Sequence, residues 1–349
     1  MASHLIDLRS DTLSMPTQEM LESVLSAKMG DDSRDGDPTV LELEALAAGL
    51  MGKEAGLFMP SGTMSNLMAM RTHVEPGATA IVEASAHVYG AEIGGIAAGA
   101  GLLVMPVPGR HGAMDLDALE TAARKVPTLF PTRGILCLEN THNAAGGTVI
   151  PPDHIQACAE LAREHGLAVH LDGARIFNAA VAMEGEPMDI AGHADTVSFC
   201  LSKGLSAPVG SLLTGPRDFI DRARMIRRAY GGTLRQAGII AAPGLVALRT
   251  MIPRLADDHA NARAFAEGVA EVEGLQVDLD SVQSNIINLD VDGLGIDAAT
   301  FARHLDEKKV RGLPGLGTVV RFVTYRGITR SDIQEALEAI REVVAQKPW

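Results

Sequence analysis

The chain has 349 residues, enough for two packed units at roughly 100–200 residues per domain. Hydrophobic residues make up 46% and charged residues 21%, the balance of a soluble globular protein, while 3% aromatics imply a core built from Ala, Val, Leu, Ile and Met. A net charge of −14 argues against nonspecific nucleic-acid binding and against anionic membrane surfaces.

The opening segment, Met1 to Arg9, lacks the basic and apolar regions of a signal peptide. Cys137, Cys158 and Cys200 show no CxxC spacing and read as buried free thiols in a reducing compartment, so a cytoplasmic location is expected. From about residue 40 to 250, short apolar runs alternate with helical patterns. The runs are Gly56–Met59, Thr79–Val82, Leu102–Val107, Gly134–Leu138, Leu167–Leu171, Thr196–Leu201 and Ser211–Leu213. Their length and their Gly, Pro, Asn or Asp borders suit strands buried on both faces. Pro152–His165, with Ile155, Cys158, Ala159 and Ala162 at helical spacing, typifies the segments between them. The longest uncharged stretch, Ile93–Gly109, is broken by Gly and Pro and falls short of the ~20 residues of a spanning helix. This alternation predicts an α/β unit with a mostly parallel sheet, whose site sits outside the carboxyl ends of the strands.

From Pro253 the pattern changes. Arg254–Val272 reads as a charged amphipathic helix, Gln276–Leu279, Ile286–Val291 and Val319–Val323 as strands, and Ser331–Val344 as a last helix. A large domain over residues 1–250 and a small α+β domain over 251–349 are expected. No internal repeat separates them.

The residues with chemical potential follow predicted strands. Ser61-Gly62-Thr63 opens a helix at Leu67–Thr72; free N–H groups there suit a phosphate, although Ser-Gly-Thr is also an ordinary helix cap. His87 could stack on a planar group, act as an acid–base group, or serve as a structural histidine. Glu139-Asn140-Thr141-His142-Asn143 is either a self-tied loop or a site wall. Arg235, in a Gly-bearing turn, suits an anion or a helix start, and Arg321 inside an apolar strand needs a partner such as a carboxylate.

The most informative pair is His170-Leu171-Asp172-Gly173-Ala174-Arg175 and Val197-Ser198-Phe199-Cys200-Leu201-Ser202-Lys203-Gly204. An acid at one strand end and a lysine at the next are what pyridoxal phosphate requires: a Schiff-base amine and a partner for the pyridinium nitrogen. Arg175 adds a carboxylate clamp. No G-x-G-x-x-G follows the first strand, which argues against a dinucleotide-binding oxidoreductase.

The order of these motifs resembles the L-threonine aldolases of the β-eliminating lyase family. The match runs from Ile6-Asp7-Leu8-Arg9-Ser10-Asp11-Thr12 through Phe58 to Thr63, His87, Glu139 to Asn143, Asp172 to Arg175, Lys203 to Leu205, Pro208 to Ser211 and Arg235-Gln236 to Arg321. The resemblance implies a fold-type-I, pyridoxal-phosphate-dependent transferase-like protein. Its large domain would hold a mostly parallel seven-stranded sheet flanked by helices, and its small C-terminal domain would be α+β. It further implies retro-aldol cleavage of L-3-hydroxy-α-amino acids (threonine, allo-threonine, phenylserine) to glycine and an aldehyde, with no metal. A β-lyase or aminotransferase on the same fold is the alternative.

By that resemblance Lys203 carries the cofactor, Asp172 pairs with its ring nitrogen and His87 stacks on the ring. Ser61, Gly62, Thr63 and Arg235 hold the phosphate, with Arg235 arriving from a neighbouring subunit. Ser10, Arg175 and Arg321 bind the substrate carboxylate, and His142 lies near the substrate hydroxyl. His87, His142 or a water between them is the base. The resemblance also implies a homo-oligomer, a tetramer, with active sites at the dimer interface. Two positions depart from the family pattern: Arg34 replaces a tyrosine, and Tyr325 stands where a histidine is common.

Overall fold

The computed structural model describes residues 4–126, 134–347 and 349. Residues 1–3, part of the segment read for a leader, lie outside it. The large unit is a seven-stranded sheet formed by β1 (Ala55–Met59), β2 (Thr79–Glu83), β3 (Leu103–Val107), β4 (Gly134–Glu139), β5 (Ala168–Asp172), β6 (Thr196–Cys200) and β7 (Ser211–Gly215). In spatial order these are β1, β7, β6, β5, β4, β2 and β3. All neighbours are parallel except at β7, which runs antiparallel to both β1 and β6. Helices cover both faces, and apolar side chains therefore point both ways: β2, β4, β6 and β7 are buried along their full length. Edge position overrides the same expectation for β3, where Leu103 is exposed.

Each of the seven runs predicted for the large sheet is recovered to within two residues at either end. The helices also start where their chemistry dictates. Asp37 accepts from the Thr39 and Val40 N–H groups ahead of Pro38–Leu50, with proline in its first turn. Ser61 accepts from Met64 N at 3.2 Å to open α1 (Gly62–His73). Cys137, Cys158 and Cys200 are buried free thiols, as expected. Among the described residues, no single helix is long and apolar enough to cross a membrane.

The C-terminal part of the chain, from Leu255 on, packs a second core. A three-stranded antiparallel sheet, β8 (Ile286–Asp290), β9 (Leu313–Pro314) and β10 (Val319–Val323), lies against helices Leu255–Ala270, Ala298–Glu307 and Arg330–Gln346. Phe265, Phe301, Phe322 and Leu289 fill it. Two findings differ from the sequence expectation. Ile6–Asp7 pairs with Val310–Arg311, and Ile6 and Leu8 join this second core, so the first strand packs with the C-terminal unit rather than with the large sheet. Gln276–Leu279 is not a strand; only Gln276 bridges to Asp290. There Asp278 accepts from Asp280 N and its carbonyl accepts from Ser281 Oγ, and these local turn bonds replace the ladder.

Candidate active site

Parallel strands deliver their carboxyl ends to one edge of the sheet, and a cavity of about 320 Å³ opens there. Ser61, Gly62, Thr63, Asn66, His87, Glu92, Asp172, Cys200 and Lys203 are among its lining residues. Ser61, Gly62 and Thr63 follow β1, His87 follows β2, Asp172 ends β5, and Lys203 follows β6. The structure thus brings six of the predicted residues around one space.

Lys203 sits in a tight turn. Its carbonyl accepts from Ser206 N at 2.8 Å and from Ser14 Oγ at 2.8 Å. Ser206, with φ of 63°, holds a left-handed backbone that serine adopts only when packing enforces it. A Cβ at Gly204 would meet Leu255 Cδ2 at 2.8 Å, so a side chain there would make the buried Leu255 shift. The Lys203 amine makes no hydrogen bond among the described residues and stands open to the cavity.

Asp172 is held from behind. Ala174 N donates to its Oδ1 at 3.0 Å and Asn66 Nδ2 to its Oδ2 at 2.9 Å. Asn66 Nδ2 also reaches Glu92 Oε1 at 2.9 Å, and Glu92 Oε1 lies 3.1 Å from His87 Nδ1. One ligand atom each of His87, Glu92 and Asp172 therefore falls within 4.8 Å of the other two. The Glu92 carboxylate raises the His87 pKa above its ordinary value, against the opposing effect of burial. Glu139, which burial pushes toward its neutral form, accepts from His87 N at 2.6 Å and from Asn143 N at 2.8 Å, tying two loops together.

A second group of residues lies at the Lys203 end. Arg175 meets Asp11 bidentately, Nε to Oδ2 at 2.7 Å and Nη2 to Oδ1 at 2.8 Å, with both side chains buried. Burial pushes Asp11 up, but Arg175, with help from Lys203, outweighs it and holds the carboxyl at about 2. Asn143 Oδ1 accepts from Arg175 Nη1 at 3.1 Å and from Arg321 Nη1 at 3.0 Å, so one amide oxygen gathers both guanidinium groups. Arg321 lies in the middle strand of the small sheet, opposite Asn288, and its buried Nε has no hydrogen-bond partner among the described residues. Ser10 caps the short turn Asp11–Leu13 and accepts from Thr12.

Of the predicted residues, Ser10, Arg175 and Arg321 belong to this second group rather than to the cavity lining, and two more, His142 and Arg235, join neither within one chain. His142 is fully enclosed: its Nδ1 accepts from Ala145 N at 3.3 Å, and Nε2 pairs with Glu83 at 3.1 Å. Gly112, with φ of 84°, packs so close that a Cβ would overlap the His142 ring. Arg235 is exposed and turns to Ser33 and Asp31. Among the described residues, no arginine lines the cavity. The exposed Arg34 pairs with Asp31 at 3.5 Å, and Tyr325 donates to Asp7 O at 2.8 Å.

Sequence reasoning gave no role to Asn66, Glu92, Asp11 or Asn143. Asn66 carried one signal, its place one helical turn after Gly62 on the same face. Glu92 lies in a Gly- and Ala-rich stretch with no strand before it and carried none.

The donor set suits a phosphorylated, ring-bearing aldehyde. The start of α1 leaves the Gly62 and Thr63 N–H groups outside the helix ladder. A Cβ at Gly62 would come within 2.8 Å of Cys200 Sγ, so glycine keeps that floor clear. An acid, an imidazole and a free amine face the remaining space.

Comparison with known proteins agrees with this geometry. The profile of the Beta-eliminating lyase family matches residues 7–292. Low-specificity L-threonine aldolase 1 of Arabidopsis thaliana is 38% identical over 344 residues, 97% of this chain and 96% of that protein. The low specificity L-threonine aldolase of Escherichia coli (strain K12) is 39% identical over 343 residues, 98% of this chain and 100% of that protein. In fold, the chain is similar to the threonine aldolase of Leishmania major, with a TM-score of 0.83 at 18% identity, covering 97% of this chain and 99% of that one.

Proposed function

The chain belongs to the β-eliminating lyase family, and from that premise we propose that it cleaves L-3-hydroxy-α-amino acids reversibly to glycine and an aldehyde with pyridoxal phosphate. The observation that carries this reading is the open amine of Lys203 facing Asp172 and His87 across one cavity. When bound, the cofactor supplies an electron sink for the pair of electrons left by the broken Cα–Cβ bond.

In this reading Lys203 holds the cofactor through its amine, and Asp172 pairs with the ring nitrogen. His87 covers the ring, while Ser61, Gly62 and Thr63 take the phosphate. Arg175 and Arg321 hold the substrate carboxylate bidentately, turning the scissile bond out of the ring plane. The gathered guanidinium groups and the unpaired Arg321 Nε support that role. His87 is the base for the β-hydroxyl proton: Glu92 faces its Nδ1, leaving Nε2 for the cavity side. The enclosed ring of His142 acts instead by bracing the Glu83 wall. Arg235 reaches the phosphate of an adjacent protomer, which makes the enzyme a homo-oligomer, a tetramer with sites at the dimer interface. Its exposure and the lack of any arginine in the cavity lining support this. We place it in the cytoplasm, with a large domain ending near residue 250.

A panel of 3-hydroxy amino acids, both β-epimers of each, tests the reading. Glycine and an aldehyde are expected in equal amounts; a keto acid as the product would overturn it in favour of an aminotransferase or β-lyase.

A further inference from the structure

Behind Asp172 runs a line of buried polar side chains, ending at the half-buried His73, that the reaction itself does not use. Asn66 Oδ1 lies 2.7 Å from Ser198 Oγ and 3.1 Å from His170 Nε2. His170 Nδ1 lies 3.0 Å from Thr196 Oγ1, which lies 2.8 Å from His73 Nε2. Every proton in this line has one allowed place. Two carboxylates, Asp172 and Glu92, face the same Asn66 nitrogen, so that nitrogen must be the NH₂ group, with one hydrogen for each. The Asn66 oxygen can then only accept, and Ser198 and His170 must donate to it. Burial lowers the His170 pKa to about 4 and the His73 pKa to about 3, so both rings are neutral at pH 7. A neutral His170 that donates through Nε2 must accept at Nδ1, and the Thr196 hydroxyl supplies that proton. Thr196 Oγ1 in turn accepts from His73 Nε2.

We propose that Asn66 is the positioning residue of Asp172, and that the directed chain His73, Thr196, His170, Asn66 fixes its amide so that a donor always faces the carboxylate. The inference rests on the reading of Asp172 as the partner of the cofactor ring nitrogen. Its physical content is that a primary amide pinned on its oxygen side cannot flip. A flipped Asn66 would set an oxygen against two carboxylates and leave His170 and Ser198 without an acceptor, each a buried polar loss. Asp172 thereby keeps a fixed donor on Oδ2, complementary to its negative charge, and the same amide ties it to Glu92 beneath His87.

The test uses the holoenzyme loaded with pyridoxal phosphate labelled with ¹⁵N in the ring, which reports whether the ring nitrogen is protonated. Asn66→Leu keeps the volume but removes both ends of the amide, and His170→Leu breaks the line one step back. Both should move the ¹⁵N resonance toward the unprotonated value and weaken cofactor binding by roughly tenfold, the scale of a lost hydrogen bond to a charged group. His170→Gln, which can still donate to Asn66 and accept from Thr196, should restore the wild-type resonance and affinity. A purely structural role would let the two His170 variants track their thermal stabilities instead. Should Asn66→Leu fail to fold, Thr196→Val, more distant and nearly isosteric, must still move the resonance in the same direction. A wild-type resonance in a folded, loaded Asn66→Leu or Thr196→Val protein overturns the inference. A wild-type protein that takes up no cofactor overturns the underlying reading of the site.

Discussion

The cavity beneath the sheet edge and the arginine pair beside it solve different problems. Around Asp172, donors and acceptors are paired within the protein: Asn66, Ala174, Glu92 and His170 occupy one another. Around Arg321, among the described residues, Nη1 finds only an amide oxygen that it shares with Arg175, Nη2 reaches Arg9 O at 3.4 Å, and the buried Nε finds no partner. The first region is a finished mould, made of neighbouring strand ends on one sheet. The second is assembled from four segments, with Arg175 and Asp11 separated by 164 positions and Arg321 and Asn143 by 178. A satisfied network suits a permanent cofactor, as proposed for the Asp172 region; an unsatisfied guanidinium suits a group that comes and goes.

The contrast breaks most visibly at Lys203. Lys203→Ala should lower turnover below detection while far-UV and near-UV circular dichroism stay those of the wild type, because the amine makes no hydrogen bond among the described residues. Retained cleavage, or a borohydride-reducible adduct with the cofactor, would remove Lys203 from the mould.

Asp11→Asn attacks the other region through its foundation. It leaves the buried Arg175 without its carboxylate, a loss of about 3–5 kcal/mol in unfolding free energy by denaturant titration. The sign with pH follows from the low native pKa. The stabilisation is complete above the ordinary value of 3.8 and is lost as pH falls through about 2, so the wild-type advantage over Asp11→Asn should fade across that window. An equal gap at pH 7 and pH 2 would contradict it.

Arg321→Gln removes the free cation without touching the mould. kcat/KM should drop roughly tenfold to a hundredfold, the worth of about 1.5–3 kcal/mol for a charge-assisted hydrogen bond, with cofactor affinity unchanged. Weakened cofactor binding of similar size would mean that the two regions are not separate.

Glu92→Gln sharpens the comparison inside the mould. Glu92 raises the His87 pKa, so the wild-type base gains its working form only above the ordinary imidazole value of 6.5. The acidic limb of the kcat/KM profile should move to lower pH in Glu92→Gln. The same linkage means that the charged pair stabilises the fold below about pH 6.5, an effect lost as pH rises through the native His87 value. A limb that stays in place would take His87 out of the base role.

The smallest effect is expected at Arg34, outside both regions. If its guanidinium favours a polar β-substituent, Arg34→Tyr should change the kcat/KM ratio between a polar substrate and phenylserine by about fivefold, equivalent to ~1 kcal/mol. An unchanged ratio leaves Arg34 as the partner of Asp31 alone.

The sequence by itself determined the alternation of strands and helices and the placement of Ser61 to Thr63, His87, Asp172 and Lys203 at strand ends. These features are local: apolar runs of fixed length, helix caps and glycine turns are written in consecutive residues. It left open which polar residues would face one another. Asn66 becomes the hinge of the cofactor pocket because β5 and β6 are adjacent under α1, bringing residues 106 and 132 positions away against one amide. His142 follows a strand as His87 does, yet Gly112 and Glu83 wall it in, and nothing near it in the sequence announces that. The Ile6–Asp7 strand joined the C-terminal core because it pairs with Val310–Arg311 and Ile6 and Leu8 bury in the same cluster as Phe265 and Phe322, a choice two apolar residues cannot encode alone. A hydrogen bond or a buried contact is a property of two positions in space. Only the folded chain, by setting which strand lies beside which, decided those pairs.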